Sequence, residues 1–412
     1  MKEIIKQKIL DFKLKESKQR DIKINLKTNS IITLIGPRRS GKTFLFFNMI
    51  SKLNKYVYIN FEDDRLNIKE PDEVLDAIME IYYDQDLKKF HFFFDEIHML
   101  NNWEKFIRRI NDEVTNNIYL TGSSAKLLST EISTSLRGRS ISYQVLPLSF
   151  KEYINFKNID YSKITSQKKS EILSEFNKYL MNGGYPELIN YDKYTREKQL
   201  KSYLDVMIFR DLIERFNIKN ITATKYFINK NINSVSTFSS VAKTFNQLQS
   251  LGVKVSKDFL YELADHVQDI FLFFYLEKYD KSISKRKIAD KKIYCIDNGF
   301  INLISAKEDY GRLLENIVFI ELKRLEKEVF YHKDKYECDF IILEKGKIIQ
   351  AIQVTKSISE DNWEREINGL LESMNKFNLK EGFILTSDFE DKKKINGKKI
   401  IIIPVWKWLL NI

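Results

Sequence analysis

Gly36-Pro37-Arg38-Arg39-Ser40-Gly41-Lys42-Thr43 is a complete G-x-x-x-x-G-K-T, fed by the apolar run Ile31 to Ile35 and followed by an amphipathic segment, Phe44 to Leu53. Strand, glycine-rich loop and helix in that order is the context that makes this pattern a phosphate site. Gly36 and Gly41 let the backbone curl so that successive N–H groups point at phosphate oxygens, and the helix beginning near Lys42 adds the positive end of its dipole. The loop from Gly36 through Thr43, with Phe44 just beyond it, is therefore expected to cradle a nucleotide. Lys42 would lie between the β- and γ-phosphates and the Thr43 hydroxyl on Mg²⁺.

Outward from the loop, short β-rich runs alternate with helical patterns as far as about Leu146. The runs are Ile31–Ile35, Tyr56–Asn60, Phe90–Phe94, Ile118–Thr121 and Ser140–Val145, with helices near Lys42–Leu53, Asp72–Tyr83 and Trp103–Glu113. Apolar strands separated by helices predict a parallel sheet covered on both faces. The fold class is α/β, a P-loop nucleotide-binding core over residues 1–148. Polar-aromatic helical patterns then predict a helical lid over 149–220, interrupted at Asn182-Gly183-Gly184-Tyr185-Pro186. Three helical segments (Thr224–Asn231, Phe238–Gln249, Lys257–Val267) and two apolar runs around a basic stretch describe a winged helix over 221–304, with Ser256 capping its third helix. The remainder, 305–412, reads as a second α/β unit. It has a long helix (Arg312–Lys327), a hairpin turning at Glu344-Lys345-Gly346, a further helix (Trp363–Phe377) and closing strands.

Composition narrows the classes. The 412 residues are 43% hydrophobic and 30% charged, which excludes a disordered chain. Two cysteines, Cys295 and Cys338, and four histidines exclude a disulfide framework and a Cys/His zinc site and point to a reducing, cytoplasmic setting. The Lys-rich amino terminus lacks the apolar core of a signal peptide, and Ile400 to Leu410 is too short to cross a bilayer. No membrane association is expected. The net charge of +11 fits a DNA partner and equally fits a generally Lys-coated surface.

Hydrolysis needs more than a phosphate loop. His91-Phe92-Phe93-Phe94-Asp95-Glu96 is an apolar strand ending in two acids: Asp95 to hold Mg²⁺ through water, Glu96 to polarise the attacking water. The next strand ends Thr121-Gly122-Ser123-Ser124, where Ser123 or Thr121 is placed to sense the γ-phosphate. Leu136-Arg137-Gly138-Arg139 offers Arg139, with Arg137, as the charge for a phosphoryl transition state, worth on the order of 10³-fold or more. Oligomeric state stays open, and with it whether Arg139 serves its own chain or a neighbour.

With these motifs in place, the chain resembles the AAA+ ATPases abundant in archaea and some bacteria that join an ATPase core to a winged helix and a carboxyl-terminal restriction-endonuclease-like domain. The resemblance rests on the loop at 36–43, Ile59-Asn60-Phe61-Glu62-Asp63, Phe94-Asp95-Glu96-Ile97-His98 with Trp103, and the segments 121–124 and 136–139. Leu148-Ser149-Phe150-Lys151-Glu152-Tyr153, Gly183-Gly184-Tyr185-Pro186 and Leu314-Glu315-Asn316 continue it. It implies ATP and Mg²⁺ as ligands. For the tail it implies a nuclease-type metal site in which Asp339 fills the first position, while Gln353 stands where a second acid belongs and Thr355 where a Lys belongs. Glu315 could supply a carboxylate, and Lys356 points to the other strand face unless a bulge re-aims it. A degenerate domain that binds or scaffolds is therefore expected over an active nuclease. The basic run Lys281 to Lys287 lies between the proposed wing strands, where it could follow a DNA backbone and could equally be a solvated hairpin tip, whereas Asp258, Glu262 and Asp265 make the preceding helix poorly suited to a major groove. The reading this supports is an Mg²⁺-dependent ATPase that repositions its other domains, on nucleic acid. The alternatives are a nucleotide-gated protein-interaction switch and an ATPase-regulated nuclease.

Overall fold

All five side chains of Ile31–Ile35 (β1) are buried, Thr33 being the one polar residue among them, as expected of a strand covered on both faces. Tyr56–Asn60 (β2), His91–Asp95 (β3), Ile118–Gly122 (β4) and Ser140–Gln144 (β5) join it. In the computed structural model, which describes residues 1–123, 136–305, 309–358 and 360–412, they form one parallel sheet in the order β2-β3-β4-β1-β5. Among the described residues it is accompanied by the α-helices Lys2–Leu10 (α1), Lys42–Ile50 (α2), Asp72–Ile81 (α3) and Trp103–Glu113 (α4). The apolar spacing of α4 buries Trp103, Phe106, Ile107 and Ile110 along one stripe. Because the strands are parallel, their carboxyl ends share one edge, and the loops after β1, β3 and β4 meet there.

The chain divides into two compact units, Met1–Leu146 with Asp269–Phe271, and Pro147–Gln268 with Leu272–Ile412. The second begins with Phe150–Phe156 (α5), Ser166–Asn182 (α6) and Lys193–Val206 (α7), the last running on as a wider helical turn, Met207–Glu214. The Ser149 and Glu152 side chains cap α5 reciprocally, each accepting from the other's backbone N–H at 3.1 and 2.9 Å. Ile221–Asn233 (α8), Val241–Ser250 (α9) and Lys257–Asp269 (α10) follow. Ser256 accepts from Phe259 N at 3.1 Å at the start of α10.

Two local expectations change here. The helix expected from Phe238 starts at Val241, because Ser240 takes the cap position and Phe238–Ser239 (β6) is extended. With Phe273–Leu276 (β7) and Lys291–Cys295 (β8) it forms an antiparallel sheet in the order β6-β8-β7, so the expected strand pair is a triplet. The basic run lies in the connection between the antiparallel strands β7 and β8, and there it folds into the short helix Ile283–Ile288 (α11), with Arg286 turned over the rings of Tyr279 and Phe330.

After Asn298–Ile304 (α12) and Tyr310–Arg324 (α13) come Glu328–Lys333 (β9), Glu337–Glu344 (β10) and Lys347–Val354 (β11). Glu360–Lys376 (α14), Glu381–Thr386 (β12), Asp391–Ile395 (β13), Lys398–Pro404 (β14) and Val405–Leu410 (α15) complete the chain; β13 and α15 were not anticipated. The six strands form one mixed sheet, β13-β14-β12-β11-β10-β9, in which β11, β12 and β14 run parallel. Leu370, Leu371 and Met374 of α14 pack on Cys338, Ile341 and Ala351. Among the described residues no helix is long and apolar enough to cross a membrane.

Motifs far apart in sequence converge on a buried polar hub in this unit. The Asp297 carboxylate accepts from Gly184 N (2.7 Å) and Gly299 N (2.8 Å), and Asn316 pairs with both backbone groups of Cys295 and with Asn298. Gly183 has φ +79°, and a Cβ there would lie 1.7 Å from Asp297 Oδ1, so only glycine fits. Burial pushes the Asp297 carboxyl up to about 7 against the pull of its two N–H donors. The folded state therefore binds this proton more tightly than the unfolded chain. Its contribution makes stability fall as pH rises from about 4 to about 7. Urea titrations across that range should show the slope in the wild type and a flatter profile in Asp297→Asn, which exchanges one accepted hydrogen bond for a donor clash. An unchanged slope in the variant contradicts the assignment.

Candidate active site

The phosphate loop is held in shape from within and from behind. Gly36 (φ +154°) packs where a Cβ would lie 2.1 Å from Val145 O, and Gly41 (φ +99°) makes the left-handed turn into α2. Lys42 Nζ arches back to donate to Gly36 O at 2.9 Å and Pro37 O at 3.0 Å. Arg20, which the sequence did not single out, donates to Ser40 O (2.8 Å) and Leu146 O (2.9 Å) and fastens the loop to the chain after β5. Arg38 pairs with Glu62 of the 59–63 segment, Arg39 and Phe44 are exposed, and the buried Ser40 hydroxyl has no partner among the described residues.

Asp95 sits at the end of β3 with no exposure, ringed by hydroxyls. Thr43 Oγ1 donates to Oδ2 at 2.7 Å, Tyr58 OH donates to the same oxygen at 2.9 Å, and Thr121 Oγ1 donates to Oδ1. Thr121 Oγ1 also accepts from Glu96 N at 2.8 Å. Tyr58 escaped the sequence reading. The strand register supplies the missing signal, since Tyr58 lies beside Phe93 on the strand next to β3.

Glu96 turns at a positive φ of 51° and faces Lys42 Nζ at 3.7 Å and His98 Nδ1 at 3.3 Å, while Ser123 N donates to its Oε2 at 3.1 Å. Burial alone would raise its pKa, but the charges of Lys42, His98 and Arg38 and the Ser123 amide outweigh it and hold Glu96 below the usual carboxylate range. Burial and then the Glu96 charge push Asp95 the other way, against its three hydroxyl donors. Two adjacent acids thus have opposed environments, one held ionised and the other pushed towards its neutral form.

Lys42, Thr43, Asp95, Glu96, Thr121 and Ser123 are thus brought together. The Ser123 hydroxyl is buried and has no partner among the described residues; Ser124 lies outside them. Arg139 is not part of this group within its own chain. Its carbonyl accepts from Ile31 N, at the amino end of β1, and its guanidinium pairs with Asp112 on α4. A five-residue strand separates it from the loop by roughly 16 Å.

In the second unit Glu315, Asp339 and Gln353 also come together, around a residue the sequence did not mark. Lys292 Nζ lies 2.7 Å from Glu337 Oε1, 2.8 Å from Asp339 Oδ1 and 3.1 Å from Glu315 Oε1. Gln353 accepts from Asp339 N (3.2 Å) and donates to Glu366 Oε2 (2.8 Å). Burial and the Asp339 charge push Glu315 up to about 8, opposed by Lys292 and the Tyr294 hydroxyl. Lys356 stays outside the cluster, exposed, with its ammonium 5.4 Å over the Tyr310 ring.

Residues 28–154 match the family model described as an AAA domain, and residues 173–310 match one described as a domain of unknown function, DUF8612. The chain is 40% identical to the uncharacterized protein MJ1544 of Methanocaldococcus jannaschii over 95% of its own length and 91% of that protein's. The chain belongs to that protein's family. An uncharacterized protein of Haemophilus influenzae is 28% identical over 92% of this chain and 94% of its own. Among solved structures, the Walker-type ATPase PABY2304 of Pyrococcus abyssi aligns at 14% identity and a TM-score of 0.40 over 66% of this chain and 90% of that one. The amino-terminal unit is an AAA-type P-loop ATPase domain.

Arg139→Ala is expected to cost less than about 1 kcal/mol of stability, as for an exposed ion pair, and to leave nucleotide affinity of dilute single chains unchanged. A marked loss of binding in a fluorescent-nucleotide titration would return the guanidinium to the phosphate site.

Proposed function

We propose that this family member is an Mg²⁺-dependent ATP hydrolase acting through Lys42, Thr43, Asp95, Glu96 and Ser123, and that turnover drives rearrangement of its other domains on nucleic acid. The observation that carries the reading is the convergence of Thr43 Oγ1 and Asp95 Oδ2 to 2.7 Å beside the ionised Glu96. Two hard oxygens at that separation suit an octahedral Mg²⁺, which prefers oxygen donors and keeps most of its waters. When bound with nucleotide, the ion supplies charge neutralisation to the β- and γ-oxygens. Lys42 exchanges its two carbonyl partners for phosphate oxygens. Glu96 takes a proton from the attacking water, and the Ser123 hydroxyl, which has no partner among the described residues, donates to the γ-phosphate.

The remaining domains are proposed in the same order as in the sequence: helical lid (149–220), winged helix (221–304) and restriction-endonuclease-like domain (305–412). Supporting the second are α8, α9 and α10 followed by the β6-β8-β7 sheet. Supporting the third is the order helix, three antiparallel strands, helix and parallel strand from α13 to β12. The net charge of +11 and the exposed Lys281, Lys285 and Lys287 favour a polyanion as client, contacted through its backbone.

Steady-state ATP hydrolysis with and without single- and double-stranded DNA, at two salt concentrations, tests both parts. Lys42→Ala should lose nucleotide binding, whereas Glu96→Gln should retain ATP and turn over about 10²-fold or more slowly. Normal turnover by Glu96→Gln refutes the assigned base. Hydrolysis that no DNA stimulates at low salt refutes the nucleic-acid client and favours a nucleotide-gated protein switch.

A further inference from the structure

The carboxylate cluster of the second unit is built around a cation that the chain itself provides. The Lys292 side chain is 3% exposed, and its three N–H donors are matched by three carboxylates, those of Glu315, Glu337 and Asp339, at 2.7 to 3.1 Å. The register between β9 and β10 shifts between Cys338 and Ile341, and Asp339 lies in this irregular stretch. Its other oxygen is spent on Val354 N at 2.9 Å. Lys333 reaches Glu337 at 3.2 Å, and Arg365 pairs with Glu366, so the acids around Lys292 already have cationic partners at the margin.

A divalent metal bound by Asp339 and Glu315 would have to bring their oxygens to about 2.0–2.6 Å from its own centre. The ammonium lies between the same oxygens, and both cations cannot occupy that space. Lys292 is enclosed, with its side chain almost unexposed and its ammonium engaged by three carboxyl groups. Its backbone is in the middle strand of its sheet, paired with Phe238 on β6 and with Leu276 on β7.

We propose that Lys292 is the resident cation of this site, closing it to the divalent metal that an endonuclease-like fold implies and latching the β6-β8-β7 sheet to the six-stranded sheet. The domain in this arrangement is a binding or scaffolding element and not a metal-dependent phosphodiesterase. The inference is independent of the ATPase assignment, because none of its residues belongs to the nucleotide site.

The test is Mn²⁺ titration of the full chain without nucleotide, at pH 8, with free Mn²⁺ read by electron paramagnetic resonance. Wild type and Asp339→Asn should give the same isotherm, since any metal held near Asp95 is common to both. Lys292→Met, with folding checked by circular dichroism, should gain one Mn²⁺ per chain and lose it again when Asp339→Asn is added. A wild-type Mn²⁺ site that disappears in Asp339→Asn or Glu315→Gln overturns the proposal. So does a folded Lys292→Met that takes up no more Mn²⁺ than wild type. Should Lys292→Met not fold, the comparison of wild type with Asp339→Asn and Glu315→Gln decides alone: equal isotherms support closure and unequal ones refute it.

Discussion

Burying the carboxylate of Asp95 is the constraint on which the nucleotide-binding unit depends. An ionisable group with no exposure costs several kcal/mol unless hydrogen bonds replace its water, and here three hydroxyls do so from three different elements. Tyr58 comes from β2, Thr121 from β4 and Thr43 from the first turn of α2, while Asp95 itself ends β3. This is possible only because β3 lies between β2 and β4 and β1 follows β4 in the sheet. Strand order, phosphate loop and acidic strand end are thus one arrangement, and the same arrangement sets Glu96 against Lys42.

The second unit follows a related logic with different groups. Asp297 draws the backbone of Gly184 and Gly299 together, and Asn316 bridges Cys295 and Asn298, tying the loop after α6 to β8, α12 and α13 at one buried point. Lys292 does the same between β8 and the carboxylates on α13 and β10. Such buried polar centres favour one assembly over its neighbours, because a shifted register would leave charges unpaired. The segments that hold them are separated by tens to more than a hundred residues, so each centre records the tertiary fold rather than any local preference.

That difference explains what the sequence disclosed. The loop from Gly36 to Thr43, the apolar strands and the acid pair after Phe94 were legible because their chemistry lies within a few consecutive residues and their periodicity is local. Tyr58, Arg20, Lys292 and Glu366 were not. One lysine among 68 basic residues carries no mark of burial, and its role follows only from the pairing of β8 with β6 and β7. Arg139 precedes its strand, and in a parallel sheet that end lies opposite the loop after β1, which sets it apart from the phosphate loop of its own chain. Helix ends slipped where a polar cap overrode apolar spacing, as at Ser240. The basic run 281–287 was read by charge alone, which says nothing about whether its backbone coils.

A structure of the chain with Mg²⁺ and a non-hydrolysable ATP analogue measures the central claim most directly. In that complex Lys42 Nζ is expected to leave Gly36 O and Pro37 O for the β- and γ-phosphate oxygens, the Thr43 hydroxyl to turn from Asp95 to the metal, and Glu96 to face the γ-phosphorus across one water. A nucleotide seated elsewhere, or a loop in which Lys42 keeps both carbonyls while the phosphates lie beyond its reach, would contradict it.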